Sequence, residues 1–252
     1  MLVTHIKYLV TVSLLFISFH CAAQLPVHDG FEDTTLSKLW DTSRFVKGAV
    51  TMQSKIVKSG HSAAKITLNQ GDKYEAGNDS SLVSERAELL EAQKLASKEY
   101  SGYEYAFSMF IPADFPIVPT RLVIAQWKQY CKQEICSDDS PVLALRYTKG
   151  ILQITIQTGA HREVFYETKG DIRNKWLSFR LQTNFSRTQN GYVNAWIDDK
   201  QVLNYNGKTC YSEERGYPNN SYFFFKMGLY RDKMPLPMSI YIDDYSKKQL
   251  AN

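Results

Sequence analysis

Apolar side chains in this chain recur at every second position, in short runs broken by turn residues, and sustained helical spacing is absent. A period of two places successive side chains on opposite faces of an extended strand. Ser62 to Leu68, Leu82 to Leu90, Tyr103 to Phe110, Leu122 to Lys128 and Val142 to Tyr147 read this way. So do Ile151 to Gln157, Trp176 to Asn184, Gly191 to Ile197, Tyr222 to Tyr230 and Met238 to Tyr245. Lys149-Gly150 and Asn190-Gly191 mark hairpins between such runs, and Asp198-Asp199-Lys200 is a further polar turn. Parallel strands need long crossovers, usually helices, and none is legible here. The pattern therefore predicts an all-β fold of antiparallel sheets, a sandwich or β-jelly-roll with a concave groove on one face.

The two faces of each strand differ in chemistry. In Tyr222 to Tyr230 the set Phe223, Phe225, Met227 and Leu229 is wholly apolar, while Tyr222, Phe224, Lys226, Gly228 and Tyr230 form the other. In Leu122 to Lys128 the expected core set is Val123, Ala125 and Trp127, opposite Gln126 and Lys128. Arg86 and Glu88 share a face, as do Gln153, Thr155 and Gln157. A sheet whose outer face carries amides, cations and tyrosines suits a carbohydrate. The chain's 16 tyrosines and net charge of +4 fit stacking on sugars and attraction to polyanions, though aromatics also simply fill sandwich cores.

Residues 1–23 read as a secretory signal peptide, with Lys7 before an apolar run from Tyr8 to Phe19 and cleavage expected after Ala23. His20 disfavours lipidation of Cys21, and the run is too short for a membrane span. The expected product is secreted or periplasmic, a single domain over residues 24–252, without linker or repeat. Export permits a disulfide among Cys131, Cys136 and Cys210. Cys131 and Cys136 can close on each other, or either can reach Cys210. Residues 131–140 and 206–220 read as polar loops.

Three segments then carry a resemblance. Ser84-Glu85-Arg86-Ala87-Glu88-Leu89, Ala125-Gln126-Trp127-Lys128 and Tyr222 to Arg231 occur in that order. They resemble the three signature strands of jelly-roll polysaccharide lyases of the alginate, glucuronan and heparinase I types. The resemblance implies cleavage of a uronate-containing polymer by β-elimination. That reaction removes the C5 proton of a uronate and expels the glycosidic oxygen from C4. It needs stabilisation of the neighbouring carboxylate, a base near C5 and an acid near the leaving oxygen.

By resemblance, Arg86 and Gln126 would hold the carboxylate, Tyr230 would be the acid, and Lys226 would bind an acidic group or lower the tyrosine's pKa by its charge. Glu88 would orient a partner in the groove, and Arg146 would be an extra carboxylate contact. Many of these families have histidine where this chain has Lys128. Jelly-roll ulvan lyases are similar in pairing a lysine base with a tyrosine acid, which favours ulvan, a sulfated polymer containing glucuronate and iduronate. His161 is the alternative base.

Acidic residues gather near both ends, Glu32 and Asp33 early, Asp243 and Asp244 late, and a structural Ca²⁺ there is one reading, solvated turns the other. No catalytic cofactor is expected. The expected partner is an anionic polysaccharide, with no nucleic acid and no membrane span, and the chain is expected to be a monomer. The competing readings are a non-catalytic carbohydrate-binding jelly-roll domain and a glycoside hydrolase. The latter needs two carboxylates across the groove, which these strand faces do not offer.

Overall fold

The computed structural model describes residues 24–72, 84–131, 136 and 140–251. The expected signal peptide, the first two residues of the strand expected from Leu82, and much of the 131–140 loop lie outside them. No helix among the described residues is long and apolar enough to cross a membrane.

Two eight-stranded antiparallel sheets face one another. The first runs β14 (Lys200–Asn206), β13 (Tyr192–Ile197), β12 (Trp176–Asn184), β7 (Gly102–Phe110), β16 (Met238–Gln249), β4 (Ala63–Leu68) and β3 (Val50–Gln53). β1 (Val27–Asp29) joins it on β16, so the first strand pairs with the last. The second runs β11 (Glu163–Glu167), β10 (Ile151–Ile156), β9 (Leu143–Thr148), β8 (Leu122–Gln129), β15 (Tyr222–Asp232), β5 (Ser84–Glu91) and β2 (Trp40–Asp41). β6 (Ser97–Lys98) adds to β15. The all-β antiparallel sandwich is thus as the periodicity predicts, and the jelly roll as the resemblance implies.

Ten strands were legible, and the described residues hold sixteen. Those missed are short, such as β2 and β6, or expose most of their residues, as β11 and β14 do, so no apolar stripe announces them. Cys131 pairs with Cys136, and Cys210 is a buried free thiol whose pKa burial pushes up.

The core lies between the sheets. Phe223, Phe225, Met227 and Leu229 are fully buried there, alternating with the outward set. Trp127 and Phe225 pack at 4.8 Å, and Tyr105 of the opposite sheet meets both. A buried ion pair also joins the sheets, with Lys247 Nζ 3.0 Å from Glu91 Oε2 and Tyr245 donating to the same carboxylate.

One expected face is reversed. Val123 does not join the core with Ala125 and Trp127 but opens onto the outer cavity. The pairing of β8 with β9 shifts register between Val123 and Ala125, and that of β8 with β15 shifts between Met227 and Tyr230. An extra residue in a ladder flips the alternation beyond it. Gly228 makes this possible. Its φ is +141°, and a Cβ there would lie 2.3 Å from the Ala87 carbonyl oxygen.

Candidate active site

Four neighbouring strands of the second sheet, β5, β15, β8 and β9, send side chains outward into one cavity of about 240 Å³. Arg86, Arg121, Val123, Gln126, Lys128, Ser140, Pro141, Arg146, Arg162, Lys226 and Tyr230 line it. At roughly 30 Å³ per water it has room for about one sugar residue. Register explains the convergence of distant segments: Tyr230 sits opposite Arg86 on one side and Val123 on the other, while Lys226 sits opposite Gln126.

Tyr230 is held between two cations. The Arg86 guanidinium carbon lies 4.3 Å from the ring centre and that of Arg121 lies 4.6 Å away. Burial pushes the hydroxyl's pKa up, but hydrogen bonding with Arg121 and Ser84 and the charges of Arg121 and Arg86 outweigh it. The net shift is below the usual tyrosine value of 10.0. Arg121 is itself fixed by Asp232, whose Oδ1 lies 2.6 Å from Nη2.

Lys226 is only 7% exposed. Burial lowers its pKa to about 8, helped by Lys128, Arg86 and Arg44 and opposed by Glu88. Glu88 does not line the cavity. It lies beneath it, 1% exposed, accepting a short hydrogen bond from Gln126 Nε2 and lying 3.4 Å from Arg86 Nη1. Its carboxylate therefore fixes two of the lining side chains rather than meeting a ligand. Arg146 rises from β9 opposite Val123, 6% exposed, with Nε donating to Thr155 Oγ1 at 3.1 Å.

Of the residues singled out in the sequence, Arg86, Gln126, Lys128, Arg146, Lys226 and Tyr230 meet in this cavity. His161 does not line it; it is exposed, and its neighbour Arg162 takes the place at the rim. Arg121 and Arg162 were missed. Arg121 ends the unpatterned stretch before β8, and Arg162 precedes a mostly exposed strand, so neither falls within a legible motif.

The acidic residues of the two chain ends do come near each other, around the turn at residues 58–61. Asp243 Oδ2 accepts the Lys58 and Ser59 amides at 2.9 and 3.2 Å, and Oδ1 accepts that of Asp244 at 2.8 Å. Glu32 Oε2 accepts the His61 amide at 2.8 Å, and Asp244 accepts from Ser59 Oγ. Both Asp243 oxygens, Asp244 Oδ1 and Glu32 Oε2 are thus engaged in hydrogen bonds. No group of three or more His, Cys, Asp or Glu side chains among the described residues is placed to hold a metal ion.

A jelly-roll sandwich whose outer sheet gathers a tyrosine, an amide and several cations over a sugar-sized cavity defines the class of enzymes that act on acidic polysaccharides. The family model for polysaccharide lyases matches residues 31–246, and the chain belongs to that family. It is a polysaccharide lyase. The fold is shared with solved structures. An endo-β-1,4-glucuronan lyase from the fungus Trichoderma reesei is 16% identical, covering 90% of this chain and 95% of that one, with a TM-score of 0.63. An alginate lyase is 11% identical over 92% and 100%, at 0.60. The alginate lyase from Corynebacterium sp. is 13% identical over 81% and 82%, at 0.53. Among curated proteins, none matches the chain.

Proposed function

We propose that this chain is a secreted lyase that cleaves a uronate-containing anionic polysaccharide by β-elimination, with ulvan the leading substrate and glucuronan, alginate and heparin-like chains as alternatives. The observation that carries this reading is the placement of the Tyr230 ring beside both the Arg86 and Arg121 guanidinium groups, in the same cavity as Gln126, Lys128 and Lys226. Arg86 and Gln126, steadied by Glu88, hold the uronate carboxylate and stabilise the charge that builds as C5 loses its proton. Lys128 takes that proton. The C5–H electrons form the C4=C5 double bond, the C4–O4 bond breaks, and Tyr230 protonates the departing oxygen.

A second assignment of the base has its own support. Two guanidinium groups beside the Tyr230 ring favour its phenolate, so the same residue can take the C5 proton and return it to the leaving oxygen. Lys226, with a pKa of about 8, then serves as a nearby charge that titrates close to neutrality. Export by the first 23 residues, and action outside the cytoplasm, belong to the same reading.

The test is ultraviolet absorbance near 235 nm, which the unsaturated uronate produces, on purified ulvan, glucuronan, alginate and heparan sulfate. Tyr230→Phe is expected to lose about 10²–10⁴-fold in kcat while keeping its fold. A comparable loss in Lys128→Ala supports the lysine base, and near-normal turnover there transfers the role to Tyr230. Binding to every polymer without new absorbance would replace the enzymatic reading with that of a carbohydrate-binding domain.

A further inference from the structure

The cavity holds more positive charge than one uronate can answer. Arg86, Arg121, Lys128, Arg146, Arg162 and Lys226 all line it. Arg86 has Glu88 and Arg121 has Asp232. Arg146 and Arg162, on the opposite side from Arg86, pair with no carboxylate among the described residues.

Arg146 is the telling member. It is 94% withdrawn from solvent, being 6% exposed, yet its only hydrogen-bond partner among the described residues is the neutral Thr155 hydroxyl, on Nε. Thr155 itself leans on the Ala144 carbonyl, so the planar guanidinium is held at one end with both terminal nitrogens left for a ligand. Burial, with repulsion from Arg162 and Arg121, lowers its pKa to about 10. A buried guanidinium beside a like charge raises the free energy of the empty cavity, and an oxyanion bridging the two recovers it. A guanidinium pair recognises sulfate or carboxylate oxygens through paired N–H donors, which a lysine does not.

We propose that Arg146 and Arg162 form a second anion subsite, distinct from the Arg86–Gln126 position, that takes an oxyanion substituent on the sugar next to the one being cleaved. The group is a sulfate ester or a second uronate carboxylate, and the subsite selects polymers carrying acidic groups on consecutive residues. This rests on reading the cavity as a lyase cleft for the placement of the sugars.

The experiment is affinity electrophoresis of the mature chain through gels containing ulvan, chemically desulfated ulvan, glucuronan or neutral dextran, which reads binding without turnover. Arg162 is exposed, so Arg162→Ala is expected to fold; Arg146→Gln keeps a donor in the buried position, and both are checked by their melting curves. Each variant is expected to weaken retardation about tenfold or more in the polymer that supplies the second anion, with no change in dextran. Loss confined to ulvan and absent from desulfated ulvan names the sulfate ester. An equal loss in glucuronan names the neighbouring carboxylate. Wild-type retardation by both folded variants in every anionic gel, or no retardation of the wild type in any, overturns the subsite. Absence of new absorbance near 235 nm alongside intact, arginine-dependent retardation overturns the lyase reading alone.

Discussion

Arg121 lays its guanidinium 4.6 Å from the centre of the Tyr230 ring, while Asp232 Oδ1 anchors its Nη2 at 2.6 Å. The tyrosine is thereby held in a set orientation with its phenolate favoured. Arg86 of the signature strands shares this restraint, and the other half comes from Arg121, just before β8 and outside any of those strands.

Removing that arm should act through Tyr230. In Arg121→Met the tyrosine loses a neighbouring cation that holds its pKa down, so its pKa rises. The alkaline limb of the kcat profile is expected to move to higher pH if Tyr230 works as the acid, and the activity at neutral pH to fall about 10-fold or more. A pH–rate profile of the variant checks this, and an unchanged profile would detach Arg121 from the tyrosine's titration.

Lys226 links activity to pH and to stability. Its folded pKa of about 8 lies below its ordinary 10.5, so the folded state binds fewer protons than the unfolded one between those values. Its contribution to stability therefore rises as pH climbs from about 8 to 10.5, and below pH 8 the buried charge is a cost. At pH 7 Lys226→Met is expected to stabilise the fold by about 1–3 kcal/mol while weakening polymer binding. Denaturant unfolding at pH 7 and pH 10 measures both halves, and a variant less stable than the wild type at pH 7 contradicts the sign.

Gly228 sets where Tyr230 points. Its φ of +141° and the 2.3 Å approach of a Cβ to the Ala87 carbonyl leave no space for alanine without backbone movement. Gly228→Ala is expected to cost about 2 kcal/mol or more and to lower activity beyond what that loss of folded protein explains. Thermal melts with kcat per folded molecule separate the two effects.

The pair between Glu91 and Lys247 ties the two sheets together within the core, each side chain 1% exposed. Truncating one partner strands the other's charge, so Lys247→Ala should cost about 3–5 kcal/mol. The double replacement Glu91→Gln with Lys247→Met is expected to recover most of it. Urea unfolding of the three forms gives the comparison.

The strand pattern carried the sandwich in advance because a half-buried strand writes its face into every second residue. Phe223, Phe225, Met227 and Leu229 are buried as that rule requires. Strands without an apolar stripe, such as β11 and β14, left no such record. The same rule failed at Val123, where a bulge reverses the faces and only Gly228 hinted at it.

By itself the sequence determined the ten sheet-forming segments with an apolar stripe, most of their core faces and the residue types offered outward, since these depend on local periodicity. It named Arg86, Gln126, Lys128, Arg146, Lys226 and Tyr230 as candidates. Only the tertiary structure decided that they share one cavity with Arg121 and Arg162, that Glu88 lies beneath it, and that His161 stays outside. Registers between strands far apart in the chain set those distances, and the burial and mutual charge that lower the pKa of Lys226 and leave Arg146 unanswered exist only once the sheets have closed.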